Sequence, residues 1–455
     1  MIGLGALELG AQVIGSGLLL IATAKLAYVP IASWFELRIR LTSGRRARLA
    51  AGPRPGFRGI ARGGDTEAAP RRTLVYPGDA IVSVIVPAYN EEVVLDACIA
   101  SIVRSAFPRL EVIIVDDGST DATWSIARGL AERHPCVRAV RQDNAGKGAA
   151  LNRGIRMAVG DILLFVDADG LFDRHTVEWL IVPFSDRRVG AVCGDDRPSN
   201  ADRPLTRMLS ILSHVGTGLV RRALSLLGCL PIVSGNVGAF RAEVVRSLGG
   251  FHEHTLGEDL ELTWRVHAAG FRVLFEPRAI VFAESPSTVR GLWRQRVRWA
   301  RGLLQTTWMH RRMIGSPRHG IFGAYLALNT LTAIVGPVLQ LGLLLVLLPL
   351  AIGGRQAVGR DAWAVLGWLG LVSTALVVVL ALVLNGAWRE LRNGWTVVLW
   401  PLYSCLMGLT MVWAIRDELR RAPQRWNKLH RTGIVAGDAR LAAAHPTPGP
   451  ARSLP

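Results

Sequence analysis

Residues 161–169 read DILLFVDAD. Five apolar side chains run without a polar break and then give way to two carboxylates one residue apart. So short a run, with no 3.6-residue period, predicts a strand buried on both faces that ends in Asp167-Ala168-Asp169. The same pattern recurs upstream: VSVIVP (82–87) and LEVIIVDD (110–117) predict buried strands, and VRAV (137–140) a short one. Between them EVVLDACIASIVRSA, DATWSIARGLAERH and KGAALNRGIRMAV carry the period of amphipathic helices. This β-α-β-α-β order predicts a parallel sheet covered on both faces, an α/β domain over residues 81–285.

In open parallel sheets, ligands bind beyond the carboxyl ends of the strands. Three such ends here are polar: Tyr89-Asn90-Glu91, Asp116-Asp117-Gly118-Ser119 and Asp167-Ala168-Asp169. Turn chemistry alone accounts for Asp and Gly after a strand, but several carboxylates on one edge point to a single site. An Asp-x-Asp pair suits a hard divalent cation, Mg²⁺ or Mn²⁺, that shares its remaining positions with phosphates. Asp116 and Asp117 can accept hydrogen bonds from a base or ribose, and Tyr89 can pack against a base. No strand is followed by G-x-G-x-x-G or G-x-x-x-x-G-K-[ST], which excludes dinucleotide-binding and P-loop readings. Lys147, in NAGKGAALNRG, stands at a helix start, where the positive helix end and an ammonium suit phosphate. Glu258 and Asp259, in GEDLELTWRVHAAGF, open another helix. They serve either as first-turn partners of the helix dipole or, for Asp259, as a general base towards an acceptor hydroxyl.

The 455-residue chain is half hydrophobic, with positive mean hydropathy, so membrane segments accompany the soluble part. Its net charge of +18 comes almost wholly from arginine; the lysines are Lys25, Lys147 and Lys428. Basic clusters flank apolar segments, as in RIRLTSGRRARLAAGPRPGFR and RDELRRAPQR, which favours membrane topology over nucleic acid. No zinc-finger spacing or RNA-binding signature occurs. Five scattered cysteines without C-x-x-C exclude a disulfide framework and a zinc site, and fit a reducing cytosolic face. The expected organisation is an N-terminal anchor (1–36, with the apolar run 9–30), a basic linker (37–80), the α/β domain (81–285), interfacial helices (286–319), transmembrane helices (320–418) and a basic tail, cytosolic or disordered (419–455). Apolar candidates in the fifth segment are 320–352, 362–386 and 395–415. The first is about 33 residues, or ~50 Å as one helix against a ~30 Å bilayer core, and Pro337 divides it. Two crossings there would return the basic tail to the cytosol, as the positive-inside rule asks.

RQRVRWARG (294–302) adjoins that segment. As a helix it sets Gln295, Arg298 and Trp299 at i, i+3 and i+4, an amide, a guanidinium and a flat ring on one face. Cations and aromatics at a membrane surface also act as simple anchors.

Taken in order, VPAYNE, VDDGS, GKGAALN, DAD, GED and QRVRW over residues 80–310 resemble the family 2 glycosyltransferases, specifically the membrane-embedded processive synthases of cellulose, chitin, hyaluronan and poly-N-acetylglucosamine. The resemblance implies a GT-A-type nucleotide-sugar-binding domain inserted between transmembrane helices. It implies that Tyr89, Glu91 and Asp117 hold the uridine, with Asp116 also in the nucleotide-sugar site and Lys147 near the nucleotide. Asp167 and Asp169 would serve the sugar diphosphate and its Mg²⁺ or Mn²⁺, Asp169 as the direct ligand. Asp259 would be the catalytic base, and Gln295, Arg298 and Trp299 would lie where the growing chain meets the donor. The implied reaction is an inverting transfer from a UDP-sugar (UDP-N-acetylglucosamine or UDP-glucose) to a growing β-linked polysaccharide. The implied place is the inner (plasma) membrane, multi-pass, with the catalytic domain cytosolic. The implied partners are the bilayer and an accessory membrane or export subunit. The chain departs from several relatives in showing one clear N-terminal span. Three alternatives stand beside this reading: a non-processive transferase adding one sugar to a lipid carrier, a catalytically silent membrane subunit that binds a nucleotide or partner, and nucleic-acid binding through the Arg-rich linker, which would show steep salt dependence.

Overall fold

Eight strands build the domain: β1 Val82–Ala88, β2 Leu110–Asp117, β3 Val137–Gln142, β4 Ile162–Phe165, β5 Leu171–Phe172, β6 Val189–Pro198, β7 Gly238–Arg241 and β8 Arg272–Ala283. They form one sheet in the order β3-β2-β1-β4-β7-β6-β8-β5. The structure, a computed structural model, describes residues 15–16, 25–50, 80–352 and 360–423. β3, β2, β1 and β4 are mutually parallel, as the β-α-β order predicts. The rest of the sheet is not: β7 runs antiparallel to β4 and β6, and β5 antiparallel to β8, while β6 and β8 are parallel. The expected parallel sheet is therefore a mixed one, because the strands after β4 are not joined by the regular helical crossovers of the first half.

The unbroken apolar runs have a direct cause. All of β1 is buried, with Ile85, Ile113, Leu163 and Phe165 packing into one core while Val84, Val86, Ile114 and Leu164 pack into the other. Each such side chain contributes ~1.5–3 kcal/mol when fully buried, so both faces must carry helices. The predicted helices form as Leu95–Val103, Thr123–Arg133, Lys147–Met157 and Glu258–Ala268. The strand expected to run through DAD is shorter, ending at Phe165, so Asp167 and Asp169 stand on the turn beyond it.

β1 and β2 end at the same level, and their following turns lock together. Asn90 has φ +55°, a left-handed conformation that Asn tolerates. Its N–H donates to Ser119 Oγ at 2.9 Å, and its Oδ1 accepts from Thr120 N at 2.8 Å. Gly118 has φ +74°, and a Cβ there would stand 2.8 Å from Asn144 N, so the turn requires glycine.

Towards the N-terminus, helix Tyr28–Ala50 carries the chain through residues expected as linker, where Arg, Leu and Ala favour helix. Residues 51–79, residues 9–14 and 17–24 of the apolar 9–30 run, and the tail from 424 lie outside the described residues. Towards the C-terminus, Gly320–Thr330, the π-turn Leu331–Val335 and Gly336–Ile352 follow one another as one continuous helical path. This overturns the expectation of two crossings: Pro337 stands near the start of the Gly336–Ile352 segment, directly after the π-turn, and the chain does not reverse there. Among the described residues two helices are long and apolar enough to cross a membrane, Pro317–Leu347 and Trp388–Leu419. They pack closely at Gly408, where a Cβ would stand 2.7 Å from Leu341 Cγ, and Gln340 Nε2 donates to Ser404 Oγ at 2.9 Å. Helix Arg360–Leu384 covers the remaining expected span.

Gly118→Ala is expected to destabilise the domain by ~1–3 kcal/mol through forced positive φ and the Asn144 contact. The check is a fall of several degrees in the thermal unfolding of the detergent-solubilised chain; an unchanged melt contradicts the turn geometry described here.

Candidate active site

β2 delivers Asp116 and Asp117, both fully buried, to the sheet edge. Asp116 Oδ2 pairs with Arg141 Nε at 3.2 Å. Asp117 acts as a clamp on the 142–146 loop: Oδ1 accepts from Gln142 Nε2 (2.8 Å) and Ala145 N (2.9 Å), and Oδ2 accepts from Gly146 N (2.8 Å). The clamped loop ends one residue before Lys147, so Asp117 fixes where that ammonium enters the site. Gly118, Arg141, Gln142, Asp143 and Asn144 border an open groove of about 550 Å³ beside the clamp. Tyr89 is half-buried at the end of β1, and Glu91 is buried behind it.

Lys147 is the centre of the constellation. Its Nζ lies 2.8 Å from Asp167 Oδ1 and 3.0 Å from Glu258 Oε1. Burial works against the ammonium, but the carboxylates of Asp167, Glu258 and Asp259 outweigh it and hold its pKa above the ordinary lysine range. Asp259 sits beside it. Burial and the neighbouring Glu258 push its carboxyl up to about 6, while Lys147 and the N–H groups of Leu260 and Gly235 oppose the shift. Those two N–H groups donate to Asp259 Oδ1 at 2.8 Å and Oδ2 at 3.2 Å. At Gly235 a Cβ would stand 3.1 Å from Lys147 Nζ and 3.6 Å from Asp259 Oδ2, so the backbone itself walls the site.

Asp169 is buried, and Asp167 keeps about a third of its side chain exposed. Their carboxylates and that of Glu91 converge near the Cys98 thiol, which burial and these acids push well above its ordinary range. Asn236 Oδ1, which has no hydrogen-bond partner among the described residues, lies over Gly170, where a Cβ would stand 2.5 Å away. Among the described residues no cage of three or more His, Cys, Asp or Glu side chains exists. Two carboxylates with a spare amide oxygen nearby nevertheless suit a cation that completes its shell with substrate phosphates, as Mg²⁺ and Mn²⁺ do.

Helix Val289–Met309 carries Gln295, Arg298 and Trp299. None of the three makes a hydrogen bond, ion pair or ring contact to Lys147 or Asp259 among the described residues. Arg298 lines a cavity of about 240 Å³ together with Leu256, Trp293, Arg294, Trp413 and Asp417. Trp299 is half-exposed beneath the Arg296 guanidinium, 4.2 Å from the ring centroid, and Gln295 Oε1 is buried without a partner among the described residues. Sequence reasoning missed Glu258 as a partner of Lys147, Gly235 as a donor to Asp259, and Gln305, whose Oε1 accepts from Leu256 N at 2.9 Å, as an anchor of the loop before Glu258. Glu258 stood next to the expected base, but only a fold shows that Lys147 reaches it.

Residues 77–302 match the family described as "Glycosyltransferase like family 2". The chain belongs to glycosyltransferase family 2. Among curated relatives, this family 2 chain is 36% identical over 229 residues to "Probable glycosyltransferase YdaM" of Bacillus subtilis (strain 168), covering 49% of this chain and 54% of that one. It is 31% identical over 222 residues to "Poly-beta-1,6-N-acetyl-D-glucosamine synthase" of Staphylococcus aureus (strain COL), again 49% of this chain and 54% of that one. The family 2 chain thus spans about half the length of the curated relatives it matches. A solved structure, "Mannosyltransferase PcManGT from Pyrobaculum calidifontis in complex with GDP-Man and Mn2+", superposes at a TM-score of 0.56 with 25% identity, covering 89% of this chain and 100% of that one. The mixed sheet is accordingly of the GT-A type.

Asp117→Asn would turn an amide group towards the Gly146 or Ala145 N–H, setting donor against donor. The expected cost is ~1–3 kcal/mol, with a donor KM raised about tenfold or more as the loop before Lys147 loosens. Steady-state kinetics checks this, and an unchanged KM contradicts the clamp.

Proposed function

We propose that this family 2 chain is an inverting, processive glycosyltransferase that extends a β-linked polysaccharide at the inner membrane from a UDP-sugar, UDP-N-acetylglucosamine or UDP-glucose, with its catalytic domain cytosolic. The observation that carries the reading is Asp259 with its carboxyl raised to about 6 beside Glu258 and the Lys147 ammonium. A carboxylate with that pKa is ionised at neutral pH yet basic enough to share the proton of an acceptor hydroxyl as it attacks. Gly235 and Leu260 hold the two oxygens in place, so orientation precedes the reaction. Lys147 supplies positive charge where a diphosphate leaves, and Asp117 positions the loop that presents it. Tyr89, Glu91, Asp116 and Asp117 would receive the nucleoside. Asp169, with Asp167, would hold Mg²⁺ or Mn²⁺, which neutralises diphosphate charge when bound. Gln295, Arg298 and Trp299 would meet the sugar chain and the departing diphosphate from the helix above. Displacement once at the anomeric carbon of an α-linked donor yields a β linkage.

The likeness to a poly-N-acetylglucosamine synthase supports the polymer, and the two long apolar helices support a membrane site. A second reading is transfer of a single sugar to a lipid carrier; the solved structure that matches over 89% of this chain is described as a mannosyltransferase, with no polymer in its description.

The test uses the full chain in nanodiscs with Mg²⁺ or Mn²⁺ and UDP-N-acetylglucosamine, UDP-glucose or GDP-mannose. High-mass product from a UDP-sugar is expected; a short lipid-linked product selects the second reading. Asp259→Asn is expected to lower kcat by ~10²–10⁴ with donor binding retained. Because the folded pKa is raised, kcat/KM should be flat above about pH 7 and fall with an acid limb near 6. A limb near 4 contradicts the environment described for Asp259. Lys147→Met removes the charge that holds the Asp259 carboxyl down, so the limb should move to higher pH and donor KM should rise.

A further inference from the structure

The loop that carries Asp259 into the site is fastened to the end of the last described helix through one side chain. Gln305 Oε1 accepts from Leu256 N at 2.9 Å and from the Thr255 hydroxyl at 3.2 Å. Gln305 Nε2 donates to Glu418 Oε1 at 3.0 Å. The same Glu418 oxygen takes Arg301 Nε at 2.6 Å, and the outer nitrogens of Arg301 donate to Ala422 O at 2.8 Å and Pro423 O at 3.3 Å. Arg301 is buried while Glu418 keeps about 30% of its side chain exposed, so this is a half-buried, charge-assisted junction.

The junction leaves little slack. A Cβ on Gly302 would stand 2.8 Å from Gly257 N, so the interfacial helix and the GED loop touch backbone to backbone. Further along the same helix end, His310 Nε2 lies 3.0 Å from Glu261 Oε1, which gives the Asp259 helix a second attachment. On the other side, Ala300, Met411 and Ala414 form one small buried core, so the interfacial helix and helix Trp400–Leu419 move together. Helix Trp400–Leu419 lies within a segment long and apolar enough to cross a membrane.

We propose that Gln305 and Glu418 are positioning residues for Asp259. They set the place of the carboxylate from the end of a membrane-length helix, so that a displacement of that helix reaches the reacting group through residues 255–257. The proposal rests on the reading of Asp259 as base. It explains why an amide is required at 305: one end must accept from two donors of the loop while the other donates to a carboxylate.

The experiment exchanges the two groups in the full chain in nanodiscs. Gln305→Glu alone sets two carboxylates against each other. Gln305→Glu with Glu418→Gln restores donor and acceptor in swapped order, with the new amide at 418 turning its NH2 to the carboxylate at 305 and its oxygen to Arg301 Nε. Two quantities are read: hydrogen exchange of the peptide spanning residues 253–260, and kcat with donor KM. Gln305→Glu is expected to speed exchange of that peptide about tenfold or more and to lower kcat about tenfold or more, with donor KM within about twofold, because a misplacement of the order of 1 Å suffices. The double variant should regain both. Wild-type exchange in Gln305→Glu overturns the proposal, as does a parallel loss of kcat, donor affinity and melting temperature that the double variant does not reverse. Exchange needs no turnover. Should no donor react with the wild type, the base reading fails, and exchange still decides whether the helix end holds the loop.

Discussion

A single ammonium held among carboxylates organises this molecule. Lys147 is 2.8 Å from Asp167 and 3.0 Å from Glu258, with Asp259 close enough to feel its charge. Unpaired acids so close together would repel, and a lysine buried alone would lose its proton. Bringing them together demands three separate pieces of chain: the start of helix Lys147–Met157, the turn after β4 and the start of helix Glu258–Ala268. Much of the fold serves that convergence. Asp117 clamps the loop before Lys147, Gly235 closes the wall beside it, and Gln305 ties down the loop before Glu258.

The same arrangement separates two carboxylates of one dipeptide into two tasks. Glu258 faces the ammonium directly, and its charge joins burial in pushing its neighbour up. Asp259, fixed by two backbone N–H groups, is left with its carboxyl pushed up to about 6. A base ionised at neutral pH, next to a cation suited to a leaving diphosphate, is the electrostatic pattern that glycosyl transfer to a hydroxyl needs.

The legible part of the sequence was the part with local causes. Unbroken apolar runs announced β1, β2 and β4, because both sheet faces are covered, and the helices followed from their period. The carboxylates at the strand ends were visible for the same reason. What stayed hidden depends on long-range partners. Nothing near Gln305 says that it bonds Leu256 and Glu418, and nothing near Asp117 says that its oxygens are taken by residues 142–146. The mixed second half of the sheet was invisible because β6, β7 and β8 lack regular spacing. Pro337 misled, since the helix continues through it after a π-turn. The QRVRW residues were expected where the growing chain meets the donor; Arg298 lines a cavity shared with the last helix and with Leu256 of the loop before Asp259, a neighbourhood that no local pattern announces.

The most direct measurement of the account is the product made by the full chain from an α-linked UDP-sugar when only a small fraction of the donor has been consumed, examined by mass and by the coupling constant of its anomeric protons. The account predicts β-linked chains that are already long at that stage. An α linkage would contradict a single displacement assisted by Asp259, and a single-sugar product would contradict processive extension.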